Sequence, residues 1–571
     1  MTFHGDKMDN MQPPIPTLSP TLGQYLFDCL KAEGITEVFG VPGDYNFSLL
    51  DTLEQYEGIR FINARNELGA GCASDGYGRL RGLSALITTF GVGEMSACNT
   101  IAGANSEYVP LVHIVGAPKS MDQQAHKLMH HSLLDGNFDV FRQMYMHLCA
   151  YTAVVTPENA EQEIPAAIRM AKQKRKPVYL MVAMDLVTKP IIQRIVPEEK
   201  TIETNKPALE AAIQHIRGLL NGTNNVVLLS DMLTLRYGLK DSVQKLASHL
   251  NVPAASLLLG KGSFDERHPN YIGVYSGAFG SEQVRTIVES AECVIAVGMI
   301  WTDTNSAKDT AKLDRLCLVD IQPEFVRVGE SVYGQVMAAD IIAALNACGW
   351  TRSGDLPQIS FPYDKISGEP NQPIRASSYY PRLQRMMKDK DIVVAETGTF
   401  SYGMSQVRLP AGTDYICQQG WQSIGYATPA ALGACIASPD RRVLLFTGEG
   451  SLQVTVQEIS TMLDNGCRPI LFILNNRGYT IEKYLNVKTS NQQYNQIPAW
   501  HYTQLAEAFG GKAFTVQVRT NHELDEAIAA AEQAQASRLC IIEMFVTDPL
   551  DAPDYLIRLR KHLEEQEPVK E

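Results

Sequence analysis

The most constraining feature of this sequence is the recurrence of short, continuous apolar runs separated by helical patterns. EVFGVPG, IRFINA, SALITTFG, PLVHIVGAP and KPVYLMVA lie in the first third; NVVLLS, CVIAVG and LCLVDI lie in the middle. DIVVAE, RVLLFTG, PILFILNN and CIIEMFV complete the set. A strand with one wet face alternates apolar and polar residues, whereas one covered on both faces has no such need. Continuous apolarity between helices therefore predicts an α/β fold of doubly wound, mostly parallel sheets. At 571 residues the chain exceeds what one core can serve. Two polar, proline-bearing stretches, around 188–207 and 351–378, divide it into three blocks of ordinary domain size. The expected domains are 18–190, 207–350 and 376–560.

Charge and cysteine usage exclude several classes. A net charge of −13 argues against a nucleic-acid partner, because phosphate binding wants a basic surface. No apolar run is long enough to span a bilayer, and the opening MTFHGDKMDNMQPPIPT has no signal-like apolar centre. Eleven cysteines stand singly, with no C-x-x-C pair, so free thiols and a cytoplasmic location are expected.

Ligands of open α/β sheets collect at the carboxyl ends of strands, and the richest such end is RVLLFTGEGSLQVTVQEISTMLDNGCRPILFILNNRGYTIE. A strand ending at Thr447 runs through Gly448-Glu449-Gly450-Ser451 straight into a helix. Glycines admit a ligand close to the backbone, and free N–H groups at a helix start attract phosphate. Glu449 is ill placed for phosphate but well placed for a cation that bridges to it. One helix and one strand later, Asn476 and the carbonyl of Gly478 return to the same sheet edge. Hard oxygen ligands of this kind suit Mg²⁺ rather than zinc.

This segment resembles the GDG-to-NN motif of thiamine-diphosphate enzymes, in the form found in the pyruvate and indolepyruvate decarboxylase family. The resemblance covers nearly the whole chain, with GVPGDYN, NELGAGCASDGYGR, a His-His pair, ETGT and IGYATPAALGA in family order. It implies thiamine diphosphate and Mg²⁺ as cofactors, with Glu449, Asn476 and Gly478 as metal ligands. It further implies cofactor contacts from Thr397, Gly398 and Thr399, from Gly450 and Ser451, and from Tyr479, Thr480 and Ile481. Ile424 matches the bulky aliphatic wedge that folds the cofactor. Two positions depart from the family: Glu449 stands where it has Asp, and Gln422 where it usually has Gly.

The implied reaction is non-oxidative decarboxylation of a 2-keto acid to an aldehyde through an enamine. It needs a carboxyl group beside the aminopyrimidine and acid–base groups around the reacting carbon. Glu67 matches the first role; Asp44, His130, His131 and Glu482 match the second. In the family the Glu67-type residue serves a cofactor held by the neighbouring subunit, so at least a homodimer, commonly a homotetramer, is implied. Ser401, Tyr402 and Leu485 match substrate-side positions, and Leu559 and Leu563 of the last helix are expected to close that cavity. Relatives specific for pyruvate tend to carry a bulky aromatic at the position of Ser401, so branched-chain or aromatic keto acids are expected here. Two alternatives are a carboligase of the acetolactate-synthase kind and a non-catalytic protein of the same fold. The His pair and Asp44 speak against the first, and retention of Glu67 with the whole acid–base set against the second.

Overall fold

The computed structural model describes residues 19–192, 202–489 and 491–566. The expected domain start at 18, the opening segment without a signal-like centre, and the centre of the first linker lie outside these residues. The first domain carries strands β1 (Glu37–Gly40), β2 (Arg60–Asn63), β3 (Ser84–Thr89), β4 (Leu111–Ala117), β5 (Tyr151–Val155) and β6 (Pro177–Ala183). They form one wholly parallel sheet in the order β2-β1-β3-β4-β6-β5. Every residue of β3, β4 and β6 is buried, which is what their unbroken apolar runs require.

The middle domain contributes β7 (Val226–Ser230), β8 (Ala254–Ser256), β9 (Tyr271–Val274), β10 (Cys293–Val297), β11 (Leu318–Ile321), β12 (Phe325–Val328) and β13 (Ser331–Gly334). Their order is β13-β12-β11-β10-β7-β8-β9, with β12 antiparallel to both neighbours. Helices Lys206–Asn221, Lys240–Leu250 and Ala338–Asn346 cover one face, over Val319, Ile321, Val326 and Val328. On the other face the helix Glu282–Glu289 covers β7 to β10, but an irregular segment, 300–317, lies over the outer strands.

The third domain carries β14 (Ile392–Ala395), β15 (Asp414–Ile416), β16 (Val443–Gly448), β17 (Ile470–Asn475), β18 (Ala513–Val518) and β19 (Leu539–Phe545). Its parallel order, β15-β14-β16-β17-β19-β18, repeats that of the first sheet. In both, the chain leaves the first strand one way and returns on the other side. A topological switch point therefore lies between β1 and β3, and between β14 and β16, where ligand crevices form.

Glycine holds the first and third domains together. Helices Glu67–Arg81 and Ala427–Ala437 cross so closely that a Cβ on Gly76 would lie 2.3 Å from the Ala430 carbonyl oxygen. A Cβ on Gly433 would lie 1.9 Å from that of Ala73. Beside the crossing, the Asp75 carboxylate accepts from Arg79 Nε at 2.7 Å and from the Tyr426 hydroxyl. All eleven cysteines are free and seven are buried. Among the described residues no helix is long and apolar enough to cross a membrane.

Candidate active site

The third-domain switch point opens into a cavity of about 400 Å³, within the range of ligand pockets. Each wall is a strand end. From β14 the chain enters Glu396-Thr397-Gly398, with Gly398 at φ +103°, before the helix Thr399–Met404. From β16 it turns at Gly448 directly into the helix Glu449–Thr455. From β17 it passes through Asn476, Arg477 (φ +61°) and Gly478 (φ +141°) to the helix Thr480–Leu485. Gly450 faces the Tyr479 ring, where a Cβ would lie 2.5 Å from a ring carbon.

Glu449 is almost fully buried, and its Oε1 accepts from the backbone N–H of Asn476 at 3.1 Å and of Gly478 at 3.0 Å. Burial pushes its carboxyl up to about 7, against the pull of those N–H groups. Among the described residues it has no ion pair, and the buried side-chain amide of Asn476, on the same wall, makes no hydrogen bond. A nearby cation stabilises a buried carboxylate; Lys483 acts on Glu449 in this way, and an ion in the cavity would do so more closely. This donor set, with the nearby carbonyl of Gly478, therefore fits a hard divalent ion.

Thr397, Gly398, Thr399, Ile424, Gly450, Ser451, Tyr479, Thr480, Ile481 and Glu482 line the cavity together with Glu449, Asn476 and Gly478. Six residues expected at the cofactor or the substrate pocket do not. Gln422 (φ +58°) turns its side chain away, donating to the Gln419 carbonyl and to Thr304 Oγ1 of the middle domain. Ser401 is buried, its hydroxyl donating to the Gly398 carbonyl. Tyr402 stacks on Tyr555 of the last helix at 4.6 Å, Leu559 is buried in the same cluster, and Leu563 packs against it. Leu485, at the end of its short helix, is exposed. The apolar wall comes instead from Ile424, Ile481, Leu474 and Phe400.

Asp44, His130 and His131, three of the four expected acid–base residues, assemble on the first domain. Asp44 opens a short turn after β1; Gly43 before it approaches Thr89 so closely that a Cβ would lie 2.6 Å away. Asp44 Oδ2 meets His130 Nε2 at 2.5 Å, and Oδ1 lies 3.5 Å from His131 Nδ1. Tyr45 stacks on the His130 ring at 4.9 Å and reaches its Nδ1 with the hydroxyl at 3.3 Å. His131 sits at φ +63°, its carbonyl pressed where a Cβ on Gly91 would be. Glu67 begins its helix after the cap Asn66, whose Oδ1 accepts from Gly69 N at 2.6 Å. Its oxygen lies 3.2 Å from where a Cβ on Gly93 would be. Burial raises the Glu67 carboxyl above the ordinary range, opposed by a hydrogen bond from Ser96.

These residues form a second group, apart from those of the third-domain cavity. None of Asp44, Glu67, His130 and His131 lines the third-domain cavity. Three residues not singled out from the sequence also serve these groups, Tyr45 and Glu396 within quoted motifs and Asn495 outside them. Tyr45 orients His130. Glu396, fully buried and pushed up to about 8 by burial, ties Thr397 N to Ala427 N. The Asn495 carbonyl accepts from Tyr479 N at 3.0 Å.

Three family models match: thiamine pyrophosphate enzyme, N-terminal TPP binding domain at 20–138, central domain at 213–347, and C-terminal TPP binding domain at 396–544. The chain is 35% identical over 547 residues to an alpha-keto-acid decarboxylase of Mycolicibacterium paratuberculosis, covering 94% of this chain and 96% of the relative. It is 36% identical over 550 residues to a pyruvate decarboxylase of Kluyveromyces lactis, covering 94% and 97%. Pyruvate decarboxylase isozyme 3 of Saccharomyces cerevisiae is 36% identical over 557 residues, with the same coverage. By fold and site it is a thiamine pyrophosphate enzyme. Within that class the chain belongs to the thiamine-diphosphate-dependent 2-keto acid decarboxylases, which are carboxy-lyases.

Proposed function

We propose that this decarboxylase prefers branched-chain or aromatic 2-keto acids to pyruvate, and works in the cytoplasm as a homodimer or homotetramer with active sites between subunits. Leu474 and Phe400, the apolar wall residues beside those that would hold the cofactor, carry the substrate reading, because they offer a larger side chain a surface to bury. Separation of the half-sites within one chain carries the assembly. Both bear exposed apolar side chains, Val92 (52%), Met95 and Leu134 on the first domain and Trp421 and Ile424 on the third. Surfaces of this kind mark interfaces.

Bound thiamine diphosphate supplies the nucleophilic carbon and the electron sink for loss of carbon dioxide. Glu449, Asn476 and the Gly478 carbonyl would hold Mg²⁺. Gly398, Thr399, Gly450 and Ser451 would cradle the diphosphate, and Ile424, Tyr479, Thr480 and Ile481 the rings. Burial shifts the Glu67 carboxyl toward holding its proton, the form that can share it with a cofactor nitrogen. Asp44 Oδ2 orients His130 Nε2, and Tyr45 fixes the opposite ring nitrogen, so this pair can deliver a proton to a reacting carbon. His131 stands second in that relay, and Glu482 lies on the cavity wall where the carboxylate departs.

The test is carbon dioxide release from pyruvate, 4-methyl-2-oxopentanoate and phenylpyruvate, with and without thiamine diphosphate and Mg²⁺, beside sedimentation of the holoenzyme. Larger substrates turning over with the higher kcat/KM, on an assembly of two or four chains, are expected. Strict preference for pyruvate would overturn the substrate reading, and an active monomer the assembly.

A further inference from the structure

The middle domain contains a second cavity, of about 550 Å³, larger than the cofactor cavity. It exists because the irregular segment 300–317, rather than a helix, lies over the outer strands. Its floor is the cross-strand pair Asp320 and Arg327 of β11 and β12, directly opposite each other on one sheet face. Opposite charges so placed ordinarily close on each other, yet no ion pair joins these two. Among the described residues neither Arg327 nor Arg315 at the rim has an ion pair. Asp320 Oδ1 accepts from Gln322 Nε2 at 2.6 Å, which holds the carboxylate in place and leaves Oδ2 free. Burial raises the Asp320 carboxyl, and the Arg327 guanidinium opposes that rise. Beside this pair the lining is mostly apolar, with Met299 and Leu313 on the wall and Trp301 40% exposed at the mouth, while a second pair of charged residues, Arg315 and Glu330, completes it.

A carboxylate held in place beside an unpaired, exposed guanidinium, next to an apolar wall with an aromatic face, is complementary to a zwitterion with a large side chain. We propose that this cavity binds a free 2-amino acid with a branched or aromatic side chain. Its ammonium sits at Asp320, its carboxylate at Arg327, and its side chain against Trp301, Leu313 and Met299. Such an amino acid is what transamination makes from a 2-keto acid, so the site would report the amino-acid counterpart of the enzyme's substrate pool. That last link rests on the substrate reading above; the binding itself does not.

The test is calorimetric titration of the holoenzyme with L-phenylalanine and L-leucine, and with 2-phenylethylamine and 3-phenylpropanoate, each lacking one charge. Saturable binding of both amino acids is expected, with dissociation constants below about 10 mM. Each single-charge analogue should bind about tenfold more weakly or worse. Asp320→Asn and Arg327→Gln should each weaken L-phenylalanine binding by a similar factor while leaving amino-acid-free decarboxylation unchanged. Wild-type melting behaviour in both variants would establish that they fold. Absence of saturable binding, or binding that survives both substitutions, would overturn the proposal. Either result leaves the keto-acid panel intact as a separate test.

Discussion

At the scale of single residues the cofactor half-site is governed by two close approaches. Gly450 is required because a Cβ would enter the Tyr479 ring. Gly450→Ala should therefore displace Tyr479 and weaken thiamine-diphosphate binding about tenfold, the size of a modest overpacking penalty; equilibrium titration of the apoprotein measures it. Glu449 has two separable jobs: its oxygen satisfies two buried N–H groups, and its charge can hold a cation. Glu449→Gln keeps the acceptor and removes the charge. The variant should fold as the wild type does, yet lose Mg²⁺ affinity by about tenfold or more, the expected weight of a charge at such a site. Calorimetry with Mg²⁺ reads this directly. Asp44→Asn should lower kcat about 100-fold through loss of the oriented His130, with cofactor affinity unchanged. A parallel loss of cofactor affinity would show that Asp44 is structural instead.

At the scale of elements, the crossing of helices Glu67–Arg81 and Ala427–Ala437 decides how the first and third domains sit together. In an exposed helix Gly→Ala gains about 1 kcal/mol. At Gly433 the added carbon would meet the Ala73 carbonyl oxygen 1.9 Å away, so overpacking wins, and Gly433→Ala should cost about 2 kcal/mol in chemical denaturation. The interior strands were legible because both of their faces are covered. IRFINA marked the edge strand β2, but most other edge strands carried no such signal. β5, with burial interrupted at Tyr151, Thr152 and Val154, and β18, mostly half-buried, lack continuous apolarity, and the edge strand β15 and the interior β8 are only three residues long. The antiparallel β12 and β13 alternate or lie open for the same reason. The site divides similarly. Glu449, Asn476 and Asp44 sit in turns fixed by local glycine chemistry, which a sequence displays. The inward or outward aim of Ser401, Tyr402 and Leu559 depends on the C-terminal helix docking from far along the chain, as in the Tyr402–Tyr555 stack. That docking has no local signal.

At the scale of the whole molecule, several buried carboxyls lie far above their ordinary values: Glu94 and Asp231 near 7, Glu396 near 8. The folded chain therefore binds more protons than the unfolded chain between about pH 4 and pH 8. Their stabilising contribution is present below the ordinary carboxylate range and is lost as pH rises through the folded values. Between pH 5 and pH 8 the apoprotein's thermal midpoint should fall for this reason. Glu94→Gln, which keeps an acceptor for Gly91 N, should flatten that slope by the linkage of about one proton. The division of the active site into two halves on two differently equipped sheets has a genetic corollary. Damage to one half leaves the other half of the same polypeptide sound. In the proposed assembly, with Mg²⁺ held below the dissociation constant of the Glu449→Gln chain, chains carrying Asp44→Asn and chains carrying Glu449→Gln, each strongly impaired alone, should complement one another when their subunits are exchanged. Random pairing leaves one wild-type site in each mixed pair, so roughly a quarter of full turnover should return, as two-fold symmetry dictates.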